Sequence, residues 1–191
     1  MNERHASRHG QDFSIPARLL HWAMAVMIIA MLFIGAGMVA TVSERHALLI
    51  SIHKPLGIAI LLLAIVRLGV RWRYPTPELP RHLPAWQRLA ARLSHWLLYA
   101  LMLAMPLIGW AMVSAAGYPV TLAPGITLPP LVPTSVTLYA ALRFAHTWLA
   151  LTLFALILLH LAAALYHAWM LRDDVFASMT SGTRRRGPGS E

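Results

Sequence analysis

The sequence predicts an all-α integral membrane protein, a bundle of four helices that each cross the bilayer. Hydrophobic residues make up 58% of the 191 residues and charged residues only 12%, whereas soluble domains carry about a quarter charged residues. Four apolar segments reach the length of about 20 residues that a spanning helix needs. The basic residues lie in the polar stretches between these segments, as in membrane proteins. The bilayer is therefore the expected solvent.

Proline and capping residues help to delimit the four spans. Ser14 is a plausible N-cap of the first helix, with Pro16 in its first turn. The second helix is expected to end before Pro75, because proline cannot continue a helix, and Pro106 predicts a kink in the third. The predicted spans are 15–42, 51–72, 87–115 and 138–171.

These spans divide the chain into an N-terminal segment 1–14, a four-helix domain 15–174 and a basic tail 175–191. Segment 1–14 lacks an apolar core of its own, so we expect no cleaved signal peptide. The tail is expected to be disordered because it is rich in Gly, Ser and Arg from residue 181. The uncharged, proline-rich connection 116–137 is expected to lie on the membrane or to cap the bundle.

The distribution of Lys and Arg predicts the orientation. One side of the membrane would hold only Arg45, Lys54 and Arg143. The positive-inside rule therefore places the other side, and with it both termini, in the cytoplasm. The basic residues of that side are Arg4, Arg8, Arg18, Arg67, Arg71, Arg73, Arg81, Arg88, Arg92, Arg172, Arg184, Arg185 and Arg186.

Charge and cysteine content exclude several function classes. The net charge of +9 is not gathered on one amphipathic face, and no nucleic-acid reader motif is present. The absence of cysteine removes disulfides, iron–sulfur clusters, thiolate zinc sites and c-type haem attachment. The ten histidines are then the abundant metal ligands.

The depth and face of four histidines predict two haem sites. His146 and His160 are 14 residues apart, about four turns, so they share a face and are separated by roughly 21 Å. His53 begins the second span at the level of His146, and His21 begins the first at the level of His160. A lone histidine in a span more often bonds a neighbouring helix. Two pairs at matched depths favour two six-coordinate haems instead.

The inner pairing stays open on residue spacing alone. His95 starts the third span on the side of His21 and competes with it to partner His160, and His167 is a further competitor. The remaining histidines lie in polar segments and are expected to be solvated: His5, His9, His46 and His82.

Three further residues that lie 14 positions after a histidine are consistent with a group bound between the helices. Arg67 stands 14 residues after His53, and a haem propionate would supply the bidentate partner that an arginine at that depth needs. For Arg71 a snorkelling side chain is favoured. Gly35 and Gly109 stand 14 residues after histidines of the first and third spans; they would leave room for a flat ring or simply pack helices.

An ordered set of short motifs from about residue 15 to 174 resembles the bacterial cytochrome b561 family. The motifs are Leu20-His21-Trp22; Ile52-His53 with Gly57, Arg67, Arg71 and Tyr74-Pro75-Thr76-Pro77; His95 with Tyr99, Pro106 and Gly109; and His146, His160 and His167.

The resemblance implies a four-helix cytochrome of the bacterial inner membrane with two bis-histidine b haems. His21 and His160 would ligate the iron of the inner haem, and His53 and His146 that of the outer haem. His95 would then be a non-ligand near the inner haem. Some members of the family oxidise superoxide and pass the electron to ubiquinone, which is therefore a further candidate cofactor.

The expected function is electron transfer across the membrane, since filled axial positions leave no place for substrate on the iron. The donor would be periplasmic, with superoxide as the specific candidate, and the acceptor a membrane quinone, which makes the protein an oxidoreductase. His167, His95 and Arg88 are candidate quinone contacts, and Lys54 and Arg143 candidate anion-steering residues. No residue is assigned a covalent catalytic role. The competing interpretations are a cytochrome b anchor for a peripheral dehydrogenase or hydrogenase, and a haem-free membrane protein.

Overall fold

A computed structural model describes residues 13–74, 84–172 and 174–180 of the chain. Within these residues, four helices are long and apolar enough to cross a membrane, which confirms the predicted all-α four-helix bundle. Their bounds are α1, Ile15–Ala40; α2, Glu44–Arg73; α3, Ala85–Ala115; and α4, Val136–Tyr166.

Helix α2 starts earlier than the sequence predicted, at Glu44 and not at residue 51. An acidic residue in the first turn complements the helix dipole, so the polar stretch that was expected to be a loop continues the helix. The turn between α1 and α2 is fixed by His46, whose Nδ1 lies 2.9 Å from the carbonyl oxygen of Met38. His46 is therefore a structural residue of this turn, and the expectation that it is merely solvated is wrong. His5, His9 and His82 lie outside the described residues.

Proline lies at three informative places in the helices. Pro16 is in the first turn of α1, and Ser14 occupies the N-cap position as predicted, but its hydroxyl makes no capping hydrogen bond. Helix α3 continues through Pro106 as one element, and the kink that this proline predicts stays a prediction. Helix α2 likewise continues through Pro55.

The helices pack as two neighbouring hairpins. Helix α1 packs on α2, α3 packs on α4, and α2 joins the two hairpins through α3. Between 6% and 17% of the residues in the most apolar stretch of each helix are buried within the protein. Most residues in these stretches are therefore half-buried or exposed in the isolated chain, as expected of helices that also pack against lipid. We call the end of the bundle that carries Ile15 and Tyr166 the terminal end.

The opposite end, the hairpin end, is covered by a two-stranded antiparallel sheet that the sequence did not predict. Strand β1 spans Val120–Ala123 and β2 spans Ile126–Leu128, joined through Gly125 at φ +79°. Two hydrogen bonds tie the loop after β2 to α3: Trp110 Nε1 donates to the Pro129 carbonyl at 2.9 Å, and the Leu131 N–H donates to Ser114 Oγ at 3.1 Å. Of the two expectations for connection 116–137, the structure supports the cap.

The C-terminal part of the described chain folds back on the bundle. Helix α4 passes into a π-helical turn, His167–Leu171, which ends at Arg172 in the left-handed conformation. A short helix, α5, follows over Asp174–Met179. Trp22 Nε1 donates to the Met179 carbonyl at 3.0 Å and thereby anchors α5 to α1. The expectation of disorder from residue 175 is wrong for this helix; residues 181–191 and 1–12 lie outside the described residues.

Candidate cofactor-binding site

At the terminal end, α1 and α4 bring two histidine rings close together in an edge-on arrangement. His21 lies in the second turn of α1 and His160 in the last third of α4. Their ring centroids are 6.3 Å apart, with 74° between the ring planes. Helices α1 and α4 belong to different hairpins, so this pair lies at the junction between the two halves of the bundle.

At the hairpin end, α2 and α4 form a second pair with nearly the same geometry. The ring centroids of His53 and His146 are 6.3 Å apart, with 64° between the planes. The Nδ1 atoms of both rings are buried and have no hydrogen-bond partner among the described atoms. A buried nitrogen without a partner is uncommon, and at His53 it indicates that the ring is not held by a hydrogen bond from Nδ1 to a neighbouring helix.

Glycines adjoin this arrangement as the spacing predicted, for two different reasons. A Cβ built on Gly109 would lie 3.2 Å from Cε1 and 3.6 Å from Nδ1 of His146, so Gly109 makes room for the imidazole itself. A Cβ on Gly35 would meet no described atom within 4 Å, so Gly35 borders open space. The absence of a side chain thus lets α3 approach His146 at Gly109, whereas at Gly35 it leaves space that a bound group could occupy.

The separation of the rings can be tested against axial ligation of a metal. Two metal–nitrogen bonds of about 2 Å and two imidazole ring radii of about 1.1 Å together span about 6.2 Å. His21 with His160, and His53 with His146, match this span at 6.3 Å. His95 also approaches His160, but at 5.6 Å, which is shorter than the span. The residues present therefore fit a haem held between two imidazoles at each end.

Two arginines surround one tyrosine beside the terminal-end pair. Arg67 Nε donates to Tyr99 Oη at 3.0 Å, and its guanidinium carbon lies 5.8 Å from the ring centroid. The guanidinium carbon of Arg71 lies 5.6 Å from the same centroid. The interpretation of Arg71 as a snorkelling side chain is therefore incomplete, because its guanidinium is half-buried against Tyr99. Sequence reasoning assigned no role to Tyr99, although its position one turn after His95 was a usable signal.

The candidate quinone residues lie at the terminal end on two elements. His167 begins the π-helical turn after α4, and its ring meets that of Tyr166 edge-on at 6.2 Å. His95 lies beside His160, and Arg88 lies near the start of α3, two turns before His95. π-Helical turns occur often at functional sites.

The candidate steering residues lie at the hairpin end but differ in their surroundings. Lys54 is half-buried directly after His53, and its Nζ donates to the Pro119 carbonyl at 3.3 Å, next to the start of β1. Arg143 is exposed and donates from Nη1 to Tyr139 Oη at 3.0 Å on the same helix. Lys54 thus connects α2, next to His53, with the segment that leads into the β1–β2 sheet, whereas Arg143 faces the outside of α4.

Four apolar helices that bring histidines together in pairs define a class: helical membrane proteins with paired histidines inside the bundle. Comparison with known proteins makes the class specific. The model of the family described as prokaryotic cytochrome b561 matches residues 12–182. The chain belongs to the prokaryotic cytochrome b561 family.

Individual relatives agree with this assignment. The chain is 30% identical over 171 residues to cytochrome b561 homolog 1 of Escherichia coli K12, covering 87% of this chain and 96% of the relative. It is 36% identical over 129 residues to the probable superoxide oxidase CybB of Yersinia pestis, covering 67% and 72%. It is 29% identical over 178 residues to cytochrome b561 homolog 2 of E. coli K12, covering 88% and 91%. The family implies a b-type haem, electron transfer and a multi-pass bacterial membrane protein.

Proposed function

We propose that this protein carries electrons across the bacterial inner membrane through two b haems. His21 and His160 would hold one haem at the terminal end, and His53 and His146 the other at the hairpin end. The observation that carries the proposal is the pair of ring separations, both 6.3 Å, at opposite ends of the bundle.

The mechanism follows from what these side chains do. The four imidazoles would hold the haems through their ring nitrogens, and a haem held by two imidazoles would supply one-electron, outer-sphere chemistry. His146 and His160 project from one helix about four turns apart, which corresponds to roughly 21 Å. This separation covers most of a hydrocarbon core about 30 Å thick. Arg67, half-buried beside the terminal-end pair, is placed to pair with a propionate.

We propose that the donor approaches the hairpin end, which the positive-inside rule places in the periplasm. Lys54 adjoins His53 and is held by the Pro119 carbonyl, so its charge stays near the histidine level. Arg143, one turn before His146, adds a cation on the outer face of α4. Fixed cations of this kind attract a small anion. Superoxide is the candidate donor, and the relative named as a probable superoxide oxidase supports it.

The proposed acceptor is a membrane quinone, ubiquinone in particular, at the cytoplasmic terminal end. A quinone that accepts electrons also needs protons, and His167, in the π-helical turn after α4, would supply them from the proposed cytoplasmic side. His95 and Arg88 would add hydrogen-bond donors from α3. The protein would then act as an oxidoreductase that moves an electron from superoxide to quinone.

The deciding experiment is the haem content of the purified chain and of single histidine variants. We expect two haems per chain, one haem after His160→Ala or His21→Ala, and two after His95→Ala, because the 6.3 Å centroid separation of each proposed pair matches the span of two metal–nitrogen bonds. Retention of both haems in His21→Ala, together with loss in His95→Ala, would contradict the pairing. Co-purification of a stoichiometric peripheral subunit would favour the anchor function.

A further inference from the structure

A cavity opens at the terminal end where α1, α2, α3 and α5 meet. Its volume is about 20 Å³, and it opens to solvent. Its walls include Ser14 from the start of α1, Arg67 and Arg71 from α2, Tyr99 from α3 and Met179 from α5. The described residues that line it contribute two guanidinium groups and no carboxylate. The cavity is therefore positively charged.

The guanidinium groups of Arg67 and Arg71 both pack against the ring of Tyr99. Both lie within 6 Å of the centroid of the buried Tyr99 ring, and Tyr99 Oη accepts from Arg67 Nε. A guanidinium has five N–H donors, so the bond to Tyr99 leaves most donors of Arg67 for another partner. Two like charges against one ring repel each other, and an anion between them would remove that repulsion.

A third group on the same cavity lacks a partner. Ser14 Oγ is buried and has no hydrogen-bond partner among the described atoms. At an N-cap it would normally accept from the second or third residue of the helix. The second residue is Pro16, which has no N–H, and no capping bond forms. The hydroxyl is thus available as a donor at the positive end of the α1 dipole.

We propose that Arg67, Arg71 and Ser14 form one oxyanion-binding site, with Tyr99 as its support. The ligand chemistry is a carboxylate or phosphate group, which arginine binds through paired N–H···O bonds. Two sources supply such a group at this level of the membrane: a propionate of the terminal-end haem and the headgroup of an anionic phospholipid. The propionate source rests on the proposed function; the lipid source does not.

The test uses Arg71→Gln and Ser14→Ala, with Arg73→Gln as the matched control. Arg73 ends the same helix, is exposed and does not itself line the cavity; it stacks on Tyr74, which does line it, so this variant controls both for loss of a nearby charge and for loss of that stacking contact. Two quantities are measured in the full-length protein in detergent. One is the affinity for short-chain phosphatidylglycerol, and the other is the reduction potential of the terminal-end haem. Thermal unfolding confirms that each variant is folded.

If the group is a phosphate, Arg71→Gln weakens phosphatidylglycerol binding about tenfold, Ser14→Ala weakens it less, and Arg73→Gln leaves it unchanged. If it is a propionate, lipid binding does not change, and both cavity variants lower the reduction potential because the added electron loses favourable contacts. Cavity variants that match Arg73→Gln in both measurements would overturn the proposal. Failure of haem binding would refute the proposed function while leaving the lipid measurement valid.

Discussion

The contact between Gly109 and His146 allows a sharp test of how the hairpin-end pair is held. Replacing Gly109 with Ala would place a methyl carbon 3.2 Å from Cε1 of His146. Ordinary carbon–carbon contacts begin near about 3.5 Å. The imidazole must therefore move by a few tenths of an ångström relative to His53, on a helix that is itself held by α3.

The expected magnitude follows from two opposing terms. Alanine in a helix interior is favoured over glycine by about 0.5–1 kcal/mol. Forcing an extra methyl into a packed site costs about 1–3 kcal/mol. The net loss of folding stability is then at most about 2.5 kcal/mol, so we expect the variant to fold. The steric cost mainly displaces the His146 ring from its position opposite His53. We therefore expect haem at this pair to bind about 5- to 150-fold more weakly.

Gly57→Ala is the matched control, because a Cβ there would lie 3.7 Å from the flexible end of Met31, an ordinary contact. The assay is haem per chain during titration, followed by reduced-minus-oxidised spectra, with thermal unfolding of both variants alongside. We expect Gly57→Ala to match the wild type and Gly109→Ala to lose the haem of one end selectively. A Gly109→Ala protein with wild-type affinity and spectrum at both haems would refute the reasoning.

Three further outcomes are expected. Lys54→Ala should lower the rate of haem reduction by superoxide and weaken the dependence of that rate on salt concentration. If the rate changes neither with the substitution nor with salt, electrostatic steering by Lys54 is rejected. His167→Ala should slow quinone reduction while leaving both haems bound, and unchanged quinone kinetics would remove His167 from that role. Trp110→Phe deletes the hydrogen bond to the Pro129 carbonyl and should destabilise the cap by about 0.5–1.5 kcal/mol, seen as faster amide exchange in β1 and β2; exchange equal to wild type would contradict it.

The helices and the meeting of histidines were largely predictable because both depend on periodicity. A spacing of 14 residues fixes face and depth together, and the structure indeed brings His21 towards His160 and His53 towards His146. Periodicity cannot rank His95 against His21, since both start helices at the same level. The structure brings both rings close to His160, with centroid separations of 6.3 Å for His21 and 5.6 Å for His95, so the choice between them stays a prediction.

Elements that depend on contacts between distant segments were not predicted. The strands β1 and β2 have four and three residues, too few to show an alternating pattern of polar and apolar side chains. The loop that follows them is held by Trp110 and Ser114 from α3. Helix α5 is stabilised through Trp22, more than 150 residues away in sequence. The cavity around Tyr99 combines four helices, so its residues carry no common spacing that a single sequence could reveal.

Helix α4 contributes one histidine to each pair, and this has a consequence for the distance that an electron must travel. His146 and His160 lie on one uninterrupted run of α-helix, so their separation is set by the helical rise. Tilting the helix in thinner or thicker membranes would move both proposed centres together without changing that separation. A residue inserted between them would instead rotate one ligand by about 100° and abolish its pairing. The length of the electron path is therefore encoded in a single covalent segment and is insulated from fluctuations of the surrounding lipid.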